Sequence, residues 1–267
     1  MGRQYHKNYP AAMRHRYGVP PGQYSEGMGV VRSYQSVLRT DPTVPALFQL
    51  PKWEGRQILF QDPDGEVPVE SVGEPIGGVR HPLTGEKLAD QTTDSDRFMW
   101  SGVADGSDGD GGAHLEIDFT EWGGPYGWGT GEASSIVAMA AVESKNSAIC
   151  GGDDSHRFSI YRSSSADELI IYNGNDLRAR DLDDDYEVPD EEPIVYAALM
   201  KGEDSKIFMD GIEKEEGDAG SGTAETGYIG ALENRDSLRL RGTIQVYLLY
   251  DEELSDDDFQ EISEILA

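Results

Sequence analysis

The chain has 267 residues, 51 of them acidic against 22 basic, for a formal net charge of −29; a surface of that sign excludes nucleic acid and anionic membrane as partners for its bulk. Its one cysteine, Cys150, excludes an intrachain disulfide framework, and neither an apolar run of about 18 residues nor the apolar core of a secretion signal is present. Counting Gly in place of Tyr, the apolar share is about 44%, close to the globular norm, so the composition supports a buried core, and the length suits one all-β sandwich.

Acidity on this scale needs a cause, because repulsion among so many carboxylates destabilises a compact state unless salt screens it. With only seven Lys and acids spread over the chain after residue 40, the composition points to life in molar salt, where hydrated carboxylates keep a surface soluble. Residues 1–40 are the exception: they carry Arg3, Lys7, Arg14, Arg16, Arg32 and Arg39 against Glu26 alone. Tyr5, Tyr9, Tyr17, Tyr24 and Tyr34 are interleaved with Pro and Gly, without helical or strand period over the stretch as a whole. Arg and Tyr are the side chains favoured as interface anchors. Residues 1–42 therefore read as an extended, basic arm laid on a neighbouring acidic subunit, with Arg3, Tyr5, Tyr9, Arg14, Arg16, Tyr17, Tyr24, Arg32 and Tyr34 as its contacts; encapsidated nucleic acid is the lesser alternative for the same arm.

From residue 43 the pattern is β. Short runs rich in β-branched and aromatic residues recur between Gly, Asp, Asn and Pro clusters, clearest at 114–119, 135–142, 157–161, 168–172, 194–200, 206–209, 226–230 and 243–250. The runs 135–142 and 194–200 are almost unbroken in apolar residues, as strands covered on both faces require; others alternate, with Phe158 and Ile160 inward against Ser159 and Tyr161. Two packed antiparallel sheets satisfy both patterns. One helix closes the chain: Ser255 is a good N-cap, Asp258 stands at its third position, Phe259, Ile262 and Leu266 line one face, and Leu254 can staple onto Phe259.

These residues resemble the concanavalin A-like, or laminin-G-like, jelly rolls. Ser205 to Gly211 looks like the family's strand entering a tight hairpin, Gly227 to Gly230 like its later strand, and Leu240 to Tyr250 with Glu253-Leu254-Ser255 like its last strand and final helix; Gln245 and Val246 stand where an acid and Val are usual. Leu59-Phe60-Gln61-Asp62-Pro63-Asp64-Gly65-Glu66-Val67-Pro68-Val69, through Val72-Gly73-Glu74-Pro75-Ile76-Gly77, is similar to a lead-in found before such jelly rolls in bacteriophage and other viral structural proteins. The resemblance covers residues 45–267. It implies an all-β, two-sheet antiparallel jelly-roll sandwich over 43–267, with the extended arm before it and a short helix at its end.

Three chemistries compete within that frame. Glu116, Asp118 and Glu121 fit the E-x-D-x-x-E signature of laminarinase-type glycoside hydrolases that share the jelly roll, where two carboxyls about 5 Å apart suit retaining hydrolysis. The same segment also reads as a noncatalytic strand with Leu115, Ile117 and Phe119 toward the core, and three acids fall into such spacing easily among 51. Trp122, Tyr126 and Trp128 could stack on sugar rings of a host surface glycan. Asp105, Asp108 and Asp110, in a Gly-rich loop, are weak candidates for a structural calcium ion or another cation, and no cofactor is indicated. The expectation is thus a non-enzymatic virion protein of a halophilic, archaeal, tailed virus: a homo-oligomeric decoration or spike subunit on capsid or tail, made in a high-salt host cytoplasm and partnered with other virion proteins. A glycan-binding receptor-recognition lectin and a glycoside hydrolase are the alternatives.

Overall fold

The computed structural model describes residues 24–91, 97–106, 115–117, 134–142, 147–152, 159–162, 168–179, 193–220, 227–230 and 239–267. Its strands are β1 (Val44–Leu47), β2 (Lys52–Trp53), β3 (Arg56–Gln57), β4 (Leu59–Phe60), β5 (Glu74–Ile76), β6 (Gly78–Arg80), β7 (Lys87–Asp90), β8 (Phe98–Trp100), β9 (Ala104–Asp105), β10 (Leu115–Ile117), β11 (Ser134–Val142), β12 (Ala148–Gly152), β13 (Ser159–Arg162), β14 (Leu169–Tyr172), β15 (Asp176–Ala179), β16 (Ile194–Met200), β17 (Ser205–Met209), β18 (Ile212–Gly217), β19 (Gly227–Ile229) and β20 (Gly242–Tyr250). Two helices, α1 (Tyr24–Val37) and α2 (Asp256–Leu266), flank them in sequence.

The strands form two nine-stranded antiparallel sheets. The first runs β18-β17-β16-β11-β20-β9-β8-β5, with β1 also on β20; the second runs β15-β14-β13-β12-β19-β10-β7-β6-β4. Their inner faces meet in one core, where Tyr247 of β20 reaches Cys150 of β12. The chain is an all-β antiparallel sandwich, as its sequence pattern requires.

The unbroken apolar strands have a physical explanation in the layer above the first sheet. In β16 every residue is buried, because one face meets the second sheet and the other lies under the helices. Phe208 of β17 stacks on Phe259 of α2 with ring centroids 4.4 Å apart. On the same outer side Ser135 Oγ donates to the Glu252 carbonyl and accepts from the Leu254 N–H, both at 2.9 Å, guiding the chain from β20 into α2. The helix starts as its sequence predicts: Ser255 and Asp258 form the reciprocal capping box, and Leu254 and Phe259 are both buried. The β17–β18 hairpin turns on Asp210 and Gly211, whose φ values of 48° and 75° are the left-handed pair that a two-residue turn demands. A Cβ on Gly211 would also stand 2.9 Å from the Gln260 Cα of α2, so the turn and the helix both require glycine.

Residues 24–40 correct the extended arm. They form α1 followed by a 3-10 turn, Leu38–Thr40, and Val31, Tyr34, Val37 and Leu38 are buried in the central core. The apolar spacing is helical; Gly27, Gly29 and the β-branched residues lower the local propensity, and tertiary burial overrides it at roughly 1.5–3 kcal/mol for each large side chain. Tyr34, expected to contact a partner, is 1% exposed. Its hydroxyl donates to Gln49 Oε1 at 2.9 Å and to the Gln245 carbonyl at 3.0 Å, and Gln49 Nε2 donates to Gln245 Oε1 at 2.7 Å. Gln245 sits where β20 slips register against β11, so the residue that departs from the family pattern is the one that fastens α1. Residues 1–23 lie outside the described residues.

The segment 59–77 is a hydrogen-bonded crossing between the sheets. β4 and β6 belong to the second sheet and β5 to the first, and the chain changes sheet at Gly77 alone, between β5 and β6. A Cβ there would lie 2.5 Å from the Gln61 carbonyl oxygen, which explains glycine on steric grounds. Asp62 closes the preceding loop by accepting from the N–H groups of Glu66 and Val67, and Glu74 Oε2 accepts from those of Glu70 and Ser71. Burial pushes the Asp62 carboxyl up, but the hydrogen bonds from Glu66 and Val67 outweigh it and hold the group below its ordinary value.

Three variants test these contacts. Tyr34→Phe strands the Gln49 and Gln245 acceptors and should cost about 1–2 kcal/mol in urea unfolding at fixed salt, while a chain beginning at Thr43 should not fold cooperatively, because it lacks four core residues of the first layer. Since Asp62 ionises more readily folded than unfolded, its contribution is complete above about pH 4 and is lost as the pH falls through the lower folded value. Asp62→Asn should therefore unfold with a shallower loss of stability between pH 5 and 3, and an unchanged slope would exclude the loop closure as its source.

Candidate functional site on the outer face of the second sheet

β10 is an interior strand of the second sheet, and it places one member of the acidic signature. Glu116 pairs with Asp90 of β7 on one side and Tyr228 of β19 on the other, while Leu115 pairs with the fully buried Ile229. Directly paired residues share a face, so the rung Asp90–Glu116–Tyr228 lies on the face opposite Ile229 and the core. Gly151 of β12, opposite Tyr228, continues it. Asp118 and Glu121 lie outside the described residues, as do Trp122, Tyr126 and Trp128. Asp90 and Tyr228 had no local signal in the sequence, because a pairing between strands this far apart in the chain is set by topology.

The same face carries two ionic groups. Lys87 pairs with Asp90. Arg178 of β15 donates to Asp176 Oδ2 at 2.6 Å and Glu168 Oε2 at 3.0 Å, and the hydrogen bond to Asp176, with that to Glu168, raises its affinity for its proton. Ile170 and Tyr228 are buried here although they lie outside the central core, so this face is covered at its middle and more open at the two ion pairs. The two ion pairs can present carboxylates, an ammonium and a guanidinium to a polyhydroxylated or charged ligand.

Of the expected cation ligands, Asp105 is half-buried in β9, between Met99 of β8 and Thr243 of β20 in the ladder; Asp108 and Asp110 lie outside the described residues. Among the described residues no group of three His, Cys, Asp or Glu could hold a metal ion. Of the expected arm contacts, Tyr24 is the first residue of α1, Arg32 is exposed on it and Tyr34 is buried beneath it. Arg3, Tyr5, Tyr9, Arg14, Arg16 and Tyr17 lie outside the described residues.

No protein-family model and no curated protein matches the chain. Among solved structures it is similar to the binding domain of botulinum neurotoxin DC in complex with rat synaptotagmin II, at 15% identity and a TM-score of 0.46, over 67% of this chain and 51% of that one. It is similar to domain 4 of AbnA, a GH43 extracellular arabinanase from Geobacillus stearothermophilus, at 15% identity and 0.46, over 72% and 89%. A sialidase from Trypanosoma rangeli matches at 12% identity and 0.44, over 91% and 39%. The chain spans about half the length of the neurotoxin domain. The class that the sheets themselves define is the two-sheet antiparallel β-sandwich of jelly-roll type.

The ion-pair cluster gives a prediction that separates a structural salt bridge from a surface one. The Glu168 side chain is 11% exposed and Asp176 37%. Arg178→Met removes the guanidinium from a Glu168 side chain in a poorly hydrated position and should lower stability by about 1–3 kcal/mol, whereas Asp176→Ala should cost less than about 1 kcal/mol. Equal effects in denaturant unfolding would show that neither pair organises the face.

Proposed function

We propose that this chain is a structural subunit of the virion of a halophilic, tailed archaeal virus, displayed on capsid or tail and made in a high-salt host cytoplasm. The observation that carries this reading is the lead-in at 59–77. Its Asp62 closes the loop and its Gly77 passes the chain between sheets, so the segment resembling viral structural proteins is built into the sandwich and is not a detachable linker. The charge division supports the assembly half: residues 1–23 hold Arg3, Lys7, Arg14 and Arg16 with no acid, whereas residues 24–267 hold all 51 acids. The basic segment has three tyrosines as further anchors and precedes a helix fixed to the core. Other acidic virion proteins are its proposed partners, and short-range burial and hydrogen bonding carry the contact in molar salt.

Mass spectrometry of purified particles, with rebinding of the protein to particles stripped of it, tests this. Deleting residues 1–23 should leave the unfolding midpoint unchanged and weaken rebinding at least about tenfold. Equal rebinding, or absence from particles, would overturn the reading.

A second reading, recognition of host glycan, is favoured by the Asp90–Glu116–Tyr228 rung on the outer sheet face. Sugar binding on a glycan array in molar salt that is lost on Trp128→Ala would support it; a flat response would remove it. Sugar release that survives Glu116→Gln would exclude a hydrolase using that carboxylate.

A further inference from the structure

We propose that the solvent face of α1 is a docking surface for α2 of a second copy of this chain, so that the sandwich pairs through a self-complementary helical face. This deepens the assembly reading, on which it rests, by adding a second copy of the chain to the proposed partners.

The two helices pack side by side on the outer face of the first sheet, and their outward faces carry opposite charge. On α1 and the turn that follows, Gly29, Arg32, Gln35 and Arg39 are exposed at helical spacings of three, three and four, which places them along one stripe. Among the described residues neither Arg32 nor Arg39 has an acidic partner, although the protein carries 51 acids. On α2 the exposed stripe is Asp257, Glu261 and Glu264, also at helical spacing. The other acids of its first turn are engaged within the chain, Asp256 by Lys206 and Asp258 by Ser255. Arg32 to Arg39 and Asp257 to Glu264 each span seven residues, about 10.5 Å of helix, so the two ridges match in charge and in spacing.

Gly29 adds a steric argument. Glycine in a helix interior costs about 1 kcal/mol relative to alanine, yet a Cβ on Gly29 would have nothing within 4 Å. Among the described residues nothing gives a reason for the missing side chain; a notch on an exposed helix allows another backbone to come close. Because a ridge and its complement lie on one face, a two-fold axis brings α1 of each copy onto α2 of the other, and the contact closes as a dimer without leaving a free end. Pairs desolvated within such a contact are screened by salt far less than exposed ones.

The test is a charge swap in the full-length chain, followed by sedimentation equilibrium, with circular dichroism to verify folding. Arg32→Glu with Arg39→Glu sets acid against acid at both contacts and should weaken self-association at least about tenfold. Asp257→Arg with Glu261→Arg sets base against base and should do the same. Mixing the two variants restores both contacts and should regenerate a one-to-one heterodimer. A monomeric wild-type chain, a reversal variant that still self-associates, or a mixture that stays monomeric would overturn the proposal. If association instead depends on residues 1–23 and ignores the swap, the helical surface is wrong while the virion reading stands.

Discussion

The fold hangs on β20. It pairs with β11 along its length, with β1 over its C-terminal half and with β9 at its start. Its side chains serve both layers: Tyr247 enters the core toward Cys150, while Tyr250, on the helix side, shares a hydrogen bond of 2.8 Å with Thr40. Burial pushes the Tyr250 phenol up to about 12, so it stays neutral throughout the physiological range. The slip at Gln245 supplies a polar grip of α1 on the sheet. A strand that must satisfy two cores at once has little freedom in sequence, which is why residues 242–250 are among the most readable in the chain.

Readability elsewhere follows the same logic. Strands β11 and β16 announce themselves because double-sided burial leaves them no polar positions, and α2 because its capping box is local. The Asp210–Gly211 hairpin is legible for the same reason, since a two-residue turn writes its backbone demand into adjacent positions. The helix α1 was hidden by glycines and β-branched residues whose low propensity is overcome by partners more than 200 residues away, such as Gln245. Much of the β4–β9 region was equally hidden, because strands of two to four residues are too short for a period to emerge. The rung joining Asp90, Glu116 and Tyr228 is a property of topology and had no local trace, while the aromatic and acidic positions expected beside it lie outside the described residues.

Composition alone overstates how far the acidity is a matter of solubility. Asp62, Glu74, Asp210 and Asp258 each accept a backbone N–H in a turn or cap, and Glu213 and Asp256 grip Lys206 between β18 and α2. Short acceptors of this kind fix chain direction where a neutral side chain would leave amides unmet. Part of the acidic bias thus serves architecture at particular loops, while other carboxylates, such as Asp257 and Glu261, are exposed.

The placement of the two helices has an orientational consequence. Both lie on the same side of the sandwich, over the first sheet, so that side presents helix surface and the opposite side presents strand surface. A partner that engages the helices leaves the outer face of the second sheet uncovered. The layer order alone therefore makes the two broad faces of the sandwich physically distinct, with polarity built in before any partner is chosen.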